Sequence, residues 1–200
     1  MSGRFRSIAC LHLWVFYLAC VGCVSMRSPL LNSERIERTF GSYGIEVLYQ
    51  SPSLRVSNLY SGTGESRTTR TVALVAYPDE VAPALVSEHE AILGGSSIGS
   101  TFAAAGWRVV KENRYFGERR ASEKAQTLMQ LAAANTLAVH IYEFVVERNG
   151  DRWPYAVILE MHHPEYLKAS EVQEIFADSA DRLDSAAATR LFQQLATQAL

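Results

Sequence analysis

The chain has 200 residues, 48% of them hydrophobic, with 19 basic and 21 acidic side chains and a formal net charge of −2. That balance is too apolar for a disordered segment and too neutral for a nucleic-acid binder, which needs a concentrated basic surface. A chain of this length folds as one domain and buries enough core to stand without disulfides.

All three cysteines, Cys10, Cys20 and Cys23, fall within the first 23 residues. Arg4 and Arg6 precede an apolar run from Ile8 to Gly22 broken only by His12. A positive start ahead of a short apolar core is the pattern of an export signal. The end of that run, Cys20-Val21-Gly22-Cys23, resembles the processing motif of bacterial lipoproteins, with Cys20 standing where leucine is usual. In that family a signal peptidase cuts just before a cysteine that then carries lipid. Tyr17-Leu18-Ala19-Cys20 offers the same pattern, with Tyr17 in the leucine place.

The resemblance implies a signal peptide over residues 1–22, a lipidated Cys23 and a tether over 23–32 ahead of a globular domain over 33–200. Cys20 stays open as the modified residue. Cleavage nearby to a soluble exported protein stays open too, as does an uncleaved anchor from Ile8 to Met26, close to the ~20 residues a spanning helix needs. Val24 after Cys23 resembles the pattern sent to the outer membrane, which implies a cell-envelope protein facing the periplasm. Membrane lipid is then the first expected partner and an envelope protein the second, with no nucleic acid. If Cys23 is acylated, the mature chain has no other thiol, hence no disulfide, cysteine-based zinc site or cysteine nucleophile.

After the tether, Asn32 offers a helix cap for Ser33 to Phe40, stopped by Gly41 and Gly44. Alternation at Ile45, Val47 and Tyr49, at Leu54, Val56 and Tyr60, and along Thr69 to Tyr77 predicts three strands in a meander. Pro83 opens a helix through Leu93 that ends at Gly94-Gly95, and a second runs from Ile98 to Ala105. Trp107 to Phe116 reads as a strand and Ala121 to Ala134 as a helix.

Asn149-Gly150, between Leu137–Arg148 and Asp151–His162, is the pair best suited to a tight type I′ hairpin turn. In that register Phe144 faces Tyr155, Tyr142 faces Val157 and His140 faces Leu159. One core face would then carry His140, Tyr142, Phe144, Val146, Trp153, Tyr155, Val157, Leu159 and Met161. Ser170 with Gln173 suggests a capping box, and Asp181 or Asp184 starts a last helix striped by Leu183, Ala187, Leu191 and Leu195. The order predicts an α+β fold: a single domain, mainly an antiparallel sheet of about six strands with helices packed on it.

Four residues outside the leader are candidates for chemistry. Ser97 lies in Gly95-Ser96-Ser97-Ile98-Gly99, the G-x-S-x-G pattern of a nucleophile elbow, yet a helix rather than a strand precedes it. The glycines also suit a tight connection between two packed helices. His89 shares a helical stripe with Leu85 and Ile92, where a hydrogen-bonded histidine is the ordinary reading. Glu160 and His162 share a strand face and form half of an acid/base or metal site, with His140 assigned to the other face. Tyr43, Tyr49, Tyr60, Tyr115, Trp107 and Trp153 could line a groove, although aromatic residues mostly build cores. Six basic residues from Arg108 to Lys124 form a strip that could meet anionic lipid or an acidic partner.

No catalytic set is complete and no cofactor is expected. The reading is a membrane-anchored lipoprotein with a non-enzymatic binding or assembly-assisting domain. The alternatives are an exported hydrolase using Ser97 or a Glu160/His162 site, and a soluble ligand-binding protein.

Overall fold

The computed structural model describes residues 30–131 and 135–176. The leader with Cys23, and the last helix expected from Asp181 or Asp184, lie outside the described residues.

Strands β1 (Gly44–Gln50), β2 (Leu54–Ser61) and β3 (Thr68–Ala76) form one antiparallel meander; β4 (Arg108–Arg120), β5 (Thr136–Arg148) and β6 (Asp151–His162) form another. The two meet where β3 pairs with β6, from Thr71 opposite His162 to Ala76 opposite Val157. The result is one six-stranded sheet in the order β1-β2-β3-β6-β5-β4, antiparallel throughout. Helices α1 (Asn32–Phe40), α2 (Val86–Leu93), α3 (Ile98–Ala104), α4 (Glu123–Met129) and α5 (Ala169–Ile175) pack on it. This is the expected α+β single domain.

Strand alternation divides the core. On one face Val56, Val72, Leu74, Ile141 and Leu159 pack beneath Ala125 and Met129 of α4. On the other face two apolar groups stand apart. One joins Val75, Phe144, Tyr155 and Ile158 to Ile92 of α2 and Phe102 of α3. The second joins Leu59 and Ala73 to Ile36 of α1 and to Val172 and Phe176 at α5. Between the two helix pairs lies a seam where the polar residues of that face collect.

Several element ends differ from expectation, each for a local reason. Asn32 is not the cap of α1. It is the first helical residue, and Glu34 Oε2 accepts from the Leu31 N–H instead (2.9 Å). The helix after Ala121 stops at Met129 because Gln130 turns left-handed (φ 56°). That turn lets the Asn135 carbonyl accept from the Ala121 N–H (3.0 Å), returning the chain to β5. The last described helix starts at Ala169, and Glu171 rather than Gln173 closes its first turn, accepting from the Lys168 N–H (2.7 Å). The hairpin turn is as expected: Asn149 (φ 56°) and Gly150 (φ 89°) both take the left-handed conformation a type I′ turn demands.

Leu159 sits in a central strand and is completely buried beneath α4. Leu159→Ala should cost about 2–5 kcal/mol through lost transfer energy and a residual cavity. The shift in denaturant midpoint of the full chain, at unchanged slope, checks this; a shift worth under about 1 kcal/mol would contradict this packing.

Candidate functional site

Leaving the turn, the β5–β6 pairs run as the sequence predicts: Arg148 with Asp151, Glu147 with Arg152, Val146 with Trp153, Val145 with Pro154. There the register slips by one. Tyr155 is an extra residue on β6, so Phe144 pairs with Ala156, Tyr142 with Ile158, Ile141 with Leu159 and His140 with Glu160. The expected pairs of Phe144, Tyr142 and His140 are therefore corrected by one position. The single core face splits in two: Val157, Leu159 and Met161 turn toward α4, whereas Tyr142, Phe144, Val146 and Tyr155 turn toward α2 and α3. Pro154 supplies the reason, since it has no N–H to give the ladder and is accommodated in a sheet at edges or bulges. It was also the sequence signal that could have revealed the slip.

The bulge places His140 directly across from Glu160, on the face where sequence reasoning had put only Glu160 and His162. A second bulge, in β4 between Asn113 and Tyr115, keeps Lys111 and Asn113 on this face. Across the sheet one row then reads Ser57, Ala73, Glu160, His140, Phe116, and the next reads Arg55, Val75, Ile158, Tyr142, Asn113.

Glu160 is the centre of this seam, 4% exposed. Asn32 Nδ2 donates to its Oε1 (3.1 Å) and also to Thr71 Oγ1 (3.2 Å), while the Tyr166 hydroxyl donates to Asn32 Oδ1 (2.6 Å). Lys111 Nζ stands 3.7 Å from Glu160 Oε2, nearly as buried as its partner, and lies over the Tyr142 ring at 4.4 Å. Burial by itself would raise the Glu160 pKa. Lys111 and His162, with hydrogen bonds from Asn32 and Tyr142, outweigh it and hold the carboxyl below its ordinary range. Lys111 is lowered, because burial outweighs the attraction of Glu160.

Both histidines beside the pair are buried and neutral at neutral pH. Burial pushes His162 down to about 4, and burial reinforced by Lys111 holds His140 well below its usual value. Asn113 donates through Nδ2 to the Phe176 carbonyl, so its Oδ1 accepts from His140 Nε2–H (2.6 Å). That leaves His140 Nδ1 as an acceptor without a hydrogen-bond partner, 4.0 Å from Glu160 Oε2. His162 Nε2 is likewise unpartnered, 3.9 Å from the same oxygen. Among the described residues no group of three ligating side chains could hold a metal ion.

A cavity opens over the seam toward β1 and β2. Leu31, Asn32 and Ser33 at the start of α1 border it, as do Tyr43, Ile45, Arg55, Ser97, Lys111, Tyr142, Phe144 and Glu160. It offers about 70 Å³ to the centres of water molecules, whereas one water needs about 10–15 Å³ on that measure. It therefore has room for a small molecule or a cluster of waters.

Arg55 is fully buried in its wall. Nε donates to Ser57 Oγ (2.8 Å), Nη1 to the carbonyls of Ile92 (2.8 Å) and Ser96 (2.9 Å), and Nη2 to that of Gly95 (3.4 Å). The guanidinium thus ties the end of α2 and the following loop to β2. Among the described residues no carboxylate stands within ion-pair distance of it.

The other sequence candidates fall out as follows. Ser97 borders the cavity at the start of α3, near the Tyr43 hydroxyl, and Ser100 donates to its Oγ (3.3 Å). No histidine lies within its hydrogen-bond reach among the described residues, and Gly95 to Gly99 is the expected connection between two helices. His89 Nδ1 lies 2.9 Å from the Tyr155 hydroxyl and its ring meets Tyr77 edge-on, a packing role away from the cavity. Of the aromatic residues singled out, Tyr43 borders the cavity, Trp107 is core, and Tyr49 is exposed. Half of the basic strip is paired with acids, Arg108 with Glu147, Arg114 with Glu112 and Glu143, and Lys111 with the buried Glu160, whereas Arg119, Arg120 and Lys124 are exposed.

The histidines set a pH dependence. His89, His140, His162 and His163 all have lowered pKa values, burial being the leading cause in each. Unfolded histidines take up protons as pH falls through about 6.5, while the folded ones do not. Stability present above pH 6.5 should therefore fall between about pH 6.5 and 4, before the buried carboxylate of Glu160 can contribute. His162 alone accounts for roughly 3 kcal/mol. Denaturant midpoints measured across that range test this; a flat profile from pH 6.5 to 5 would exclude neutral, buried histidines.

No protein-family model matches the chain, and no curated protein matches it. Among solved structures, a GntR-family transcriptional regulator from Enterococcus faecalis V583 is similar at 13% identity and a TM-score of 0.40, over 64% of this chain and 93% of that one. The C-terminal domain of Yurk from Bacillus subtilis is similar at 13% identity and a TM-score of 0.37, over 64% and 89%. Likeness at that level is loose, and the functional reading rests on the seam and its cavity.

Proposed function

We propose that the chain is a lipoprotein of the bacterial cell envelope whose α+β domain binds a small molecule in the cavity over β2, β3 and β6, without transforming it. The observation that carries the binding half is the cavity itself: a small space whose walls bring buried Arg55, Lys111 and Glu160 together with the tyrosines 43 and 142. Ligand sites are concave and mostly apolar with a few convergent polar groups.

The alternative of an exported hydrolase finds less support. Among the described residues Ser97 has no base beside it. A carboxyl held below its ordinary pKa is a weak base, and at neutral pH it has no proton to give as an acid.

The lipoprotein half rests on the leader. It also gains a spatial meaning from the cavity. Residues 31–33 border it, only eight to ten residues after Cys23, so a lipid on Cys23 would hold the cavity mouth within about 30 Å of the bilayer.

Intact and native mass spectrometry of the protein purified from its own host's membranes tests both halves. The expected result is a chain starting at Cys23 with acyl groups, part of it carrying one additional small molecule released on collisional activation. An unmodified chain cut elsewhere would remove the anchor. Turnover of a substrate by the purified protein would remove the binding-only reading.

A further inference from the structure

We infer that the cavity's ligand is a small organic monoanion, a carboxylate on a compact apolar or aromatic body, with its acid group received on the Lys111 side of the seam under the field of Arg55. This rests on the ligand-binding reading above and names the class of molecule bound.

The charge balance around the cavity carries the argument. Its ionisable walls hold Arg55, Lys111 and Glu160. Glu160 offsets one cation, and it does so for Lys111 at 3.7 Å, longer than a hydrogen bond. Among the described residues Arg55 has carbonyl and hydroxyl acceptors but no carboxylate. The carbonyls at the end of α2 present about half a unit of negative charge at most, which leaves part of a buried charge unbalanced. A fully buried charge without a counter-ion is expensive. One further negative charge makes these walls neutral, and a second would leave them net negative.

The rest of the wall agrees. Ile45, Leu59, Phe144 and Ile158 give apolar surface to the body of the ligand, and Ser33, Tyr43 and Ser97 supply neutral polar edges. A volume worth about five to seven waters suits a molecule of fewer than about ten heavy atoms. Lys111 is the better direct contact, because its ammonium has only the long Glu160 contact and two aromatic rings around it. The guanidinium of Arg55 is already engaged by carbonyls.

The test is titration calorimetry of the full-length chain in nanodiscs with matched trios, one on a six-carbon chain and one on a benzene ring. Each trio contains the monoacid, its amide and the diacid: hexanoate, hexanamide and hexanedioate; benzoate, benzamide and phthalate. Octanoate and 2-acetylbenzoate, monoacids as bulky as the two diacids, separate size from charge. The monoacid of at least one trio should bind at least tenfold tighter than its amide and its diacid. Lys111→Met should reduce that preference at least fivefold while leaving amide affinity unchanged. Because this substitution strands the Glu160 carboxylate, the double variant Lys111→Met/Glu160→Gln repeats the measurement with the buried pair neutralised.

An amide or diacid binding as tightly as the monoacid would overturn the monoanion inference and leave the ligand cavity standing. A preference unchanged in both variants would overturn the place given to Lys111. No binding by any member of either trio would overturn the cavity reading together with the inference.

Discussion

One buried carboxylate organises the helical layer on the second face of the sheet. Glu160 lies on β6, flanked by β3 and β5 near the middle of the sheet. Removing such a group from water costs several kcal/mol unless partners surround it. The partners come from separate parts of the chain: Asn32 from α1, Lys111 from the edge strand β4, Tyr142 from β5, and Tyr166 acting through Asn32. Helix α1 buries only Asn32 and Ile36. Its seat on the sheet therefore depends on an amide bonded to the carboxylate as much as on apolar contact. The short helix that starts the domain and the charge at its heart are one structural unit.

The two faces of the sheet show different uses of the same alternation. Beneath α4 the strands contribute a largely apolar layer, with Thr69 Oγ1 donating to the Leu128 carbonyl of the helix (2.9 Å). On the other face two helix pairs stand apart, and the gap between them is lined by polar and charged groups that bond mainly to one another. Such a gap gives up close packing and with it part of the stability a continuous core would supply. What it provides in return is a concave, electrically ordered space next to the start of α1.

Much of the fold was legible because it depends on local pattern. Alternation in β1 to β3 and Asn149-Gly150 are signals carried by a few adjacent residues, and the strands and turn stand where those signals put them. The site was half legible. Glu160 and His162 were placed on one face because they are two residues apart, a relation that survives any register. His140 was misplaced because its partner across the ladder depends on every residue between it and the turn, and Tyr155 adds one. Arg55 was not singled out at all, Lys111 was counted only in the basic strip, and Asn32 was read only as a helix cap. Each is polar in a stretch that reads equally well as exposed, and only the packing of α1, α2 and α3 over the sheet turns them inward.

The joining of the two meanders has a consequence for the order of assembly. Within each meander the strands are close in sequence, so they can pair early and quickly, whereas β3 must find β6 across some ninety residues of chain, as Thr71 does His162. The cavity straddles that junction, with Arg55 and Ser57 contributed from one side and Lys111 and Tyr142 from the other. No half of the protein owns the site. It is complete only once β3 and β6 have paired, so a molecule that fits it would act as a rivet across the join.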